Sequence, residues 1–503
     1  MKRSGPGLLS LMLAITACGG SSDAANDTGG LPAASRLYED FSTSAIGGAR
    51  WNQGEYRAEL TGGMAALSHA VAGARPSVTY NTNLVVRPPS SGDVTTFQSE
   101  LVVDSALATG TAFSRGNIDL LYQPLANRLQ GPSNTDNLIV ARVTLQQSVA
   151  NAGLKARYLL FECTAGVSDC TQSTAIGMKS GTWPDPVAVT TGTPYTVSIT
   201  VDRTAKTFTF AISGGTLGSL SETVDVSAVT TPWAPDLSAS NFYQARLRTQ
   251  VGGGSTGGDG AIAARFDDVR VGVDGGSASL FDDFTAGTTF DSSKWAIGGE
   301  NVQLASGAVQ MSLEQSDRPT SLPLNLADTS ASALQADVTV LQHSATGAGR
   351  VAAQLRRSLY NDGSNGSGSA PDTNAANSMV GDLLATISMT GTDVSCAVVR
   401  CETAQCGTVS FVQPFTSLGP VTLGTTHTLY LNRDAAHHQV QFQLDGHPTV
   451  AVDPVLAGHA ISSGPRVPIQ RIALAADSAG TGQLFTTGSA GAITATFDNV
   501  KTN

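Results

Sequence analysis

Aspartates, tryptophans and cysteines are the residues of this chain whose types and spacing could do chemistry. Asp40 lies in LYEDF, Asp267 and Asp268 in RFDDVRV, Asp282 and Asp283 in LFDDF, and Asp498 in TFDNVK. Calcium takes six to eight oxygen ligands at about 2.3 to 2.6 Å, so such carboxylates, gathered with backbone carbonyls where strand ends meet, could supply a site. Calcium is the one cofactor the sequence suggests. The same aspartates also suit turns and the protection of sheet edges. Trp183 in GTWPDP and Trp233 in TPWAPD sit in proline-flanked loops. An indole there either stacks on the apolar face of a sugar or folds back as a loop anchor.

Catalytic sets are harder to assemble. Glu100 and Asp104 in ELVVD, and Glu314 and Asp317 in EQSD, are the nearest approach to paired carboxylates, and solvated strand-edge charge is their simpler use. His427, His437, His438 and His447 fall in one region, with the adjacent pair in a polar turn where an imidazole ordinarily faces solvent. The glycine-rich strings VGGGSTGGDG and NDGSNGSGSA lack the lysine of a phosphate loop and read as connections.

The cysteines come in pairs. Cys163 and Cys170 stand in FECTAGVSDC, and Cys401 and Cys406 occupy the matching place in RCETAQC. A zinc site would need further close ligands, which only Cys396 could begin to supply. Residues 1–17 combine Lys2 and Arg3 with a short apolar run and small residues, a secretory signal too short to span a bilayer. Export makes two disulfides the expected state, with Cys396 left as a buried small hydrophobe. The ITAC ending resembles the bacterial lipobox, which implies a lipidated Cys18 and, with Gly19 following, an outer-membrane lipoprotein facing the periplasm or the cell exterior. Residues 18–36 are a flexible tether, rich in Gly, Ser, Ala and Asp.

A formal net charge of −11, read as evenly spread, argues against nucleic acid and against adsorption to anionic lipid. Membrane contact is left to the lipid anchor alone.

The elements that must position all these residues are strands. Phe97–Val103 (FQSELVV) and Leu334–Val340 (LQADVTV) alternate apolar and polar residues, the mark of half-buried strands. YTVSITVDRTAKTFTFAI from Tyr195 and HTLYLNRDAAHHQVQFQL from His427 read as matching hairpins. The stretch ARFDDVRVGVDGGSASLFDDF, 264–284, closes one repeat and opens the next, so the architecture is written twice. The expectation is an all-β chain of two tandem antiparallel β-sandwich domains, 37–273 and 280–503, joined by a linker at 274–279. First and last strands of each unit are expected to pair with each other.

The opening Asp-Phe followed by Trp51 or Trp295, the hairpins ending in VDR or LNR, and the closing FDDVRV or FDNVK resemble concanavalin A-like lectin and glucanase domains, the jelly-roll superfamily that includes laminin G-like modules. The resemblance implies a concave sheet that meets a glycan. It does not imply an activity, because the fold hosts hydrolases, lyases, lectins and spacers. The E-x-D-x-x-E strand of the superfamily's glucanases is absent here. Three functions stay open: a non-catalytic, lipid-anchored binder of polysaccharide or a surface partner, a polysaccharide hydrolase or lyase with a non-standard site, and a structural spacer of the envelope.

Overall fold

The computed structural model describes residues 34, 36–87, 93–122, 139–163, 173–175, 187–227, 244–291, 293–295, 299–314, 320–324, 332–346, 349–359, 383–402, 409–434, 436–447, 449–453, 469–478 and 490–503. The expected signal peptide, Cys18 and nearly all of the tether lie outside them. Among the described residues every regular element is a strand, and no helix is long and apolar enough to cross a membrane.

The strands fall into two sets of fourteen. The first comprises β1 (Arg36–Glu39), β2 (Glu55–Thr61), β3 (Met64–Ala74), β4 (Thr79–Val85), β5 (Val94–Ala108), β6 (Phe113–Tyr122) and β7 (Ile139–Ser148). It continues with β8 (Asn151–Cys163), β9 (Ser173–Ala175), β10 (Pro194–Asp202), β11 (Thr207–Ser213), β12 (Ser219–Asp225), β13 (Gln244–Gly252) and β14 (Gly258–Val273). The second comprises β15 (Ser279–Asp282), β16 (Glu300–Ala305), β17 (Ala308–Glu314), β18 (Thr320–Pro323), β19 (Ala333–Thr346), β20 (Gly349–Leu359) and β21 (Leu383–Met389). After these come β22 (Asp393–Cys401), β23 (Val409–Pro420), β24 (Thr426–Asp434), β25 (Gln439–Leu444), β26 (Val450–Val452), β27 (Ile469–Ser478) and β28 (Ala490–Thr502).

Alternation in the sequence becomes alternation in burial. In β10, Tyr195, Val197, Ile199 and Val201 point into the core and their neighbours point out. Both expected hairpins form, with β10 on β11 and β24 on β25, all antiparallel. One large sheet runs β12-β11-β10-β5-β14-β3-β2-β16-β17-β28-β19-β24-β25-β26, and two smaller sheets run β4-β13-β6-β7-β8-β9 and β18-β27-β20-β21-β22-β23. Read outward from the β2–β16 contact, the two halves of the large sheet give the same strand order. The small sheets repeat the relation, so the duplication seen in the sequence is a duplication of topology. At the junction Tyr56 faces Val302 and Ala58 faces Glu300 in antiparallel register. Residues 34–503 form one compact unit, and the linker at 274–279 lies in a hairpin of the large sheet.

The terminal strands correct the expectation that each unit closes on itself. β1, which opens the first half, pairs with β28 at the end of the second, and β15 pairs with β14. The cause is the short linker. Val271 already faces Ser279, and the turn between them is made by Asp274 and Gly275 in left-handed conformation, so β15 has no slack to reach its own β28. The vacant equivalent edge on β28 takes β1.

The exchange carries aromatic side chains with it. Phe41, Ile46 and Trp51 pack in the second half's core with Val309, Val338 and Phe497, whereas Phe284, Phe290 and Trp295 pack in the first half's core with Leu67, Leu101 and Phe266. The geometry is the same twice. Phe41 stacks on Trp51 and Phe284 on Trp295, each at 5.5 Å and 23°. Tyr38 and Phe281 meet the same indoles edge-on, at 5.4 and 5.5 Å.

His69 on β3 lies buried near the junction, its ring stacked on Tyr56 at 5.7 Å. Thr82 Oγ1 donates to Ser68 O at 2.9 Å, so His69 Nδ1, 3.0 Å from that oxygen, carries the proton and donates to it. Nε2 is then an acceptor without a hydrogen-bond partner, and burial together with the nearby Arg248 charge holds the ring pKa at about 3.

Trp295→Ala should cost about 3–5 kcal/mol and raise amide hydrogen exchange in β3, β5 and β14 of the first half. Loss of protection confined to β17, β19 and β28 would contradict the exchange. His69 is neutral when folded and protonates on unfolding, so its contribution is complete above pH ~6.5 and falls as pH drops toward about 3, by up to about 1.4 kcal/mol per pH unit. His69→Gln should flatten the dependence of melting temperature on pH between about 4 and 6; an unchanged slope would show that other groups carry it.

Candidate binding site

β6 carries Ile118 and Leu120 into the first half's core, so the pleat turns Phe113, Arg115, Asn117, Asp119 and Leu121 to the opposite face of the small sheet. Pairing register brings the same face of the neighbours alongside. Arg246, Arg248 and Gln250 of β13 stand opposite Asp119, Asn117 and Arg115, and Arg142 and Thr144 of β7 stand opposite Asp119 and Asn117. Arg157 and Lys155 of β8 and Asn81 and Asn83 of β4 continue the face on either side.

Asp119 is the hub. Arg142 grips it with two bonds, Nε to Oδ1 at 2.6 Å and Nη2 to Oδ2 at 2.9 Å. Arg246 Nε donates to Oδ2 at 2.9 Å, Arg248 Nη1 at 3.2 Å, and Asn117 Nδ2 donates to Oδ1 at 2.6 Å. Gln250 Oε1 accepts from Arg115 Nε. Asp119, Asn117, Arg142 and Arg248 form a buried floor, while Arg115, Arg157, Lys155 and Arg246, the last with an 18% exposed side chain, form a half-buried rim.

Among the described residues at these strand positions, five arginines and Lys155 stand around one carboxylate, that of Asp119. Burial alone would raise the Asp119 pKa, but Arg142, Arg246 and Arg248 hold it well below the usual carboxylate range. Burial and the neighbouring arginines push Arg115 and Arg248 well below the usual guanidinium value, the mark of cations crowded without enough counter-charge. Arg157 Nε and Arg248 Nε, and the Oδ1 atoms of Asn81, Asn83 and Asn117, are buried without a hydrogen-bond partner. Aromatic residues bracket the polar centre. Arg115 lies 4.6 Å over the Phe113 ring, and Arg142 5.9 Å from that of Phe161, which packs with Leu121 and Val140. Phe113 and Leu121 are eight positions apart on β6, roughly 26 Å along the strand.

The second half builds the same face with other residues. By register, Arg356 of β20 replaces Asp119, Gln354 replaces Asn117, Thr386 and Ser388 replace Arg142 and Thr144, Ser395 replaces Arg157, and Ala352 and Ala473 stand where Arg115 and Arg248 do. Arg356 Nε bonds Gln354 Oε1.

The sequence-derived candidates fare differently. Trp183, Trp233, Cys170 and Cys406 lie outside the described residues. Cys163 ends β8 in a disulfide, Cys401 ends β22, and Cys396 is a free, buried thiol whose pKa burial pushes up to about 11. The aspartates gather across the halves, not within them: Asp267 feels Asp268, Asp282 and Asp283, and Asp498 feels Asp337 and Asp40. Among the described residues no group of three or more acidic, histidine or cysteine side chains is arranged to hold a metal ion. Their carboxylates shape corners instead. Asp40 accepts from Ser42 N and Oγ, and Asp283 from Thr285 N and Oγ1. Asp282 binds Trp295 Nε1 at 2.7 Å and Lys294 Nζ at 3.2 Å. Asp267 and Asp498 cap the amides of Asp268 and Asn499, which sit at bulges with φ of 45° and 47°.

Asp104 is taken up by a two-bond pair with Arg265, and Asp317 lies outside the described residues. His427 and His437 hydrogen-bond Asp445 and Asp434, both at 2.6 Å, and serve hairpin ends. Evenly spread charge is also corrected, because the first half concentrates arginine on one face. The sequence signal is QARLRTQV at 244–251, where Arg246, Arg248 and Gln250 alternate with Ala245, Leu247, Thr249 and Val251.

No family model matches this chain, and no curated protein does. Among solved structures, a sialidase is 11% identical over 76% of this chain and 32% of its own, with a TM-score of 0.23; this chain thus spans about a third of that protein. A GH43 protein from Bacillus licheniformis is 11% identical over 72% of this chain and 80% of its own, with a TM-score of 0.21. A xylan beta-1,4-xylosidase from Bacillus halodurans C-125 is 10% identical over 88% and 98%, with a TM-score of 0.24. Likeness at this level carries no argument about what the chain does, so the functional reading rests on the arginine face itself.

Proposed function

We propose that this chain is a non-catalytic polysaccharide-binding protein of the bacterial envelope, tethered through an acylated Cys18, that holds its ligand on the polar face of the first half's small sheet. The observation that carries this reading is a row of buried, unpartnered donors and acceptors between Phe113 and Phe161. Polar groups left this way cost free energy unless something hydrogen-bonds them. Sugar hydroxyls do so, and aromatic rings at either end suit the apolar faces of pyranose rings.

The non-catalytic part of this reading is supported by the state of Asp119. A general acid or base works with a pKa near the operating pH. Asp119, clamped in its ionised form, can do neither. The tandem jelly-roll reading of the concanavalin A-like kind is supported by the repeated closing motifs, and the tether by the ITAC sequence ahead of a glycine-rich segment.

The test is a polysaccharide panel presented to the exported protein. At least one polymer should bind, remain uncleaved, and lose about tenfold or more in affinity on Phe113→Ala; a panel without a single binder would remove the reading. For the anchor, Cys18→Ala should shift the protein from the membrane to the soluble fraction, and continued membrane fractionation would rule out acylation there.

A further inference from the structure

Resting on the polysaccharide-binding reading, we infer that the ligand is an acidic polysaccharide, whose anionic oxygens are taken by Arg115, Arg157, Arg246 and Arg248 while its hydroxyls donate to the asparagine carbonyls. The shared chemistry is a carboxylate or sulfate ester repeated along a sugar chain.

The first support is the charge count, several guanidinium groups around Asp119 on a protein that is otherwise acidic, at −11. Packing like charges together in a partly buried place is costly and needs compensation from outside the set. Guanidinium is suited to that task, since its planar fork matches a carboxylate or sulfate in two-bond geometry. Asp119 already shows this mode, gripped by Arg142 with two bonds.

The second support is the other half of the molecule. The same strands in the same order form the same sheet with Ala352, Ser395 and Ala473 where Arg115, Arg157 and Arg248 stand. The scaffold therefore does not require these arginines. What the first half adds is cationic hydrogen-bonding capacity.

A free anion satisfies only part of the site. Arg157 Nε and Arg248 Nε are donors, but Asn81, Asn83 and Asn117 leave acceptors open, which a bare anion cannot fill and a sugar hydroxyl can. The length of the face along β6 from Phe113 to Leu121, roughly 26 Å, also fits a polymer better than a single ion.

The experiment compares, on the full exported chain, equilibrium binding of polygalacturonate (uronate), dextran sulfate (sulfate ester), neutral xylan and inorganic sulfate. At least one charged polymer should bind about tenfold or more tighter than xylan and weaken by about tenfold between about 50 and about 300 mM NaCl. Arg248→Gln and Arg157→Gln should each lose that preference, with Arg265→Gln, outside the site, as the control. Arg157 lies on the half-buried rim, so its variant keeps the test open if Arg248→Gln fails to fold. Polygalacturonate against dextran sulfate separates the two anion sources. Equal, salt-insensitive binding of xylan and the charged polymers overturns this inference and leaves the polysaccharide reading intact. Inorganic sulfate binding without any polymer, or no binding at all, overturns both.

Discussion

The burial of each opening segment in the core of the other half is the constraint on which the rest of this structure depends. β14 is longer than the strand beside it: β3 covers Gly258 to Phe266, and β15 takes over at Val269 to Val271. β28 is completed in the same way by β17 and then β1. Without those short strands each closing strand would present free amides and carbonyls at its end, and without their aromatic residues each sandwich would lack the indole that fills it. Since the two acceptor edges carry nearly the same residues, the choice between them falls to chain connectivity. A six-residue linker folds into a hairpin, and the hairpin fixes β15 on β14.

A further consequence is that the halves are held together by more than the β2–β16 seam. Phe41 and Trp51 cross one way, Phe284 and Trp295 the other, and each pair adopts the same stacked geometry. The left-handed backbone at Phe41 and Phe284, which side chains other than glycine rarely adopt, is held by Glu39 and Asp282 accepting the amide of each phenylalanine at 3.2 Å. The acidic corner motif is thus a structural device, repeated because the corner is repeated.

With the scaffold secured twice over, the faces of the two small sheets turned away from the apolar cores are free to differ. One became a cluster of arginines around Asp119, the other a buried polar layer of Gln354, Thr386, Ser388 and Ser395 with Arg356. Identical topology with different chemistry separates what the fold needs from what a ligand would need. The arginine face falls on the second side of that division.

The sequence by itself determined the all-β class, the duplication and the hairpins, because period-two alternation and repeated closing motifs are local signals that survive any arrangement of the strands. It also marked Cys396 as a buried hydrophobe. Tertiary structure alone decided which half each tryptophan fills, since LYEDF and LFDDF have near-identical docking edges and only linker geometry distinguishes them. It alone decided the site as well. Arg115, Arg142 and Arg157 come from three consecutive strands and Arg246 and Arg248 from the distant β13, and only the lateral register of β6, β7, β8 and β13 brings their charges to one face. Net charge, a sum over all residues, is blind to such placement.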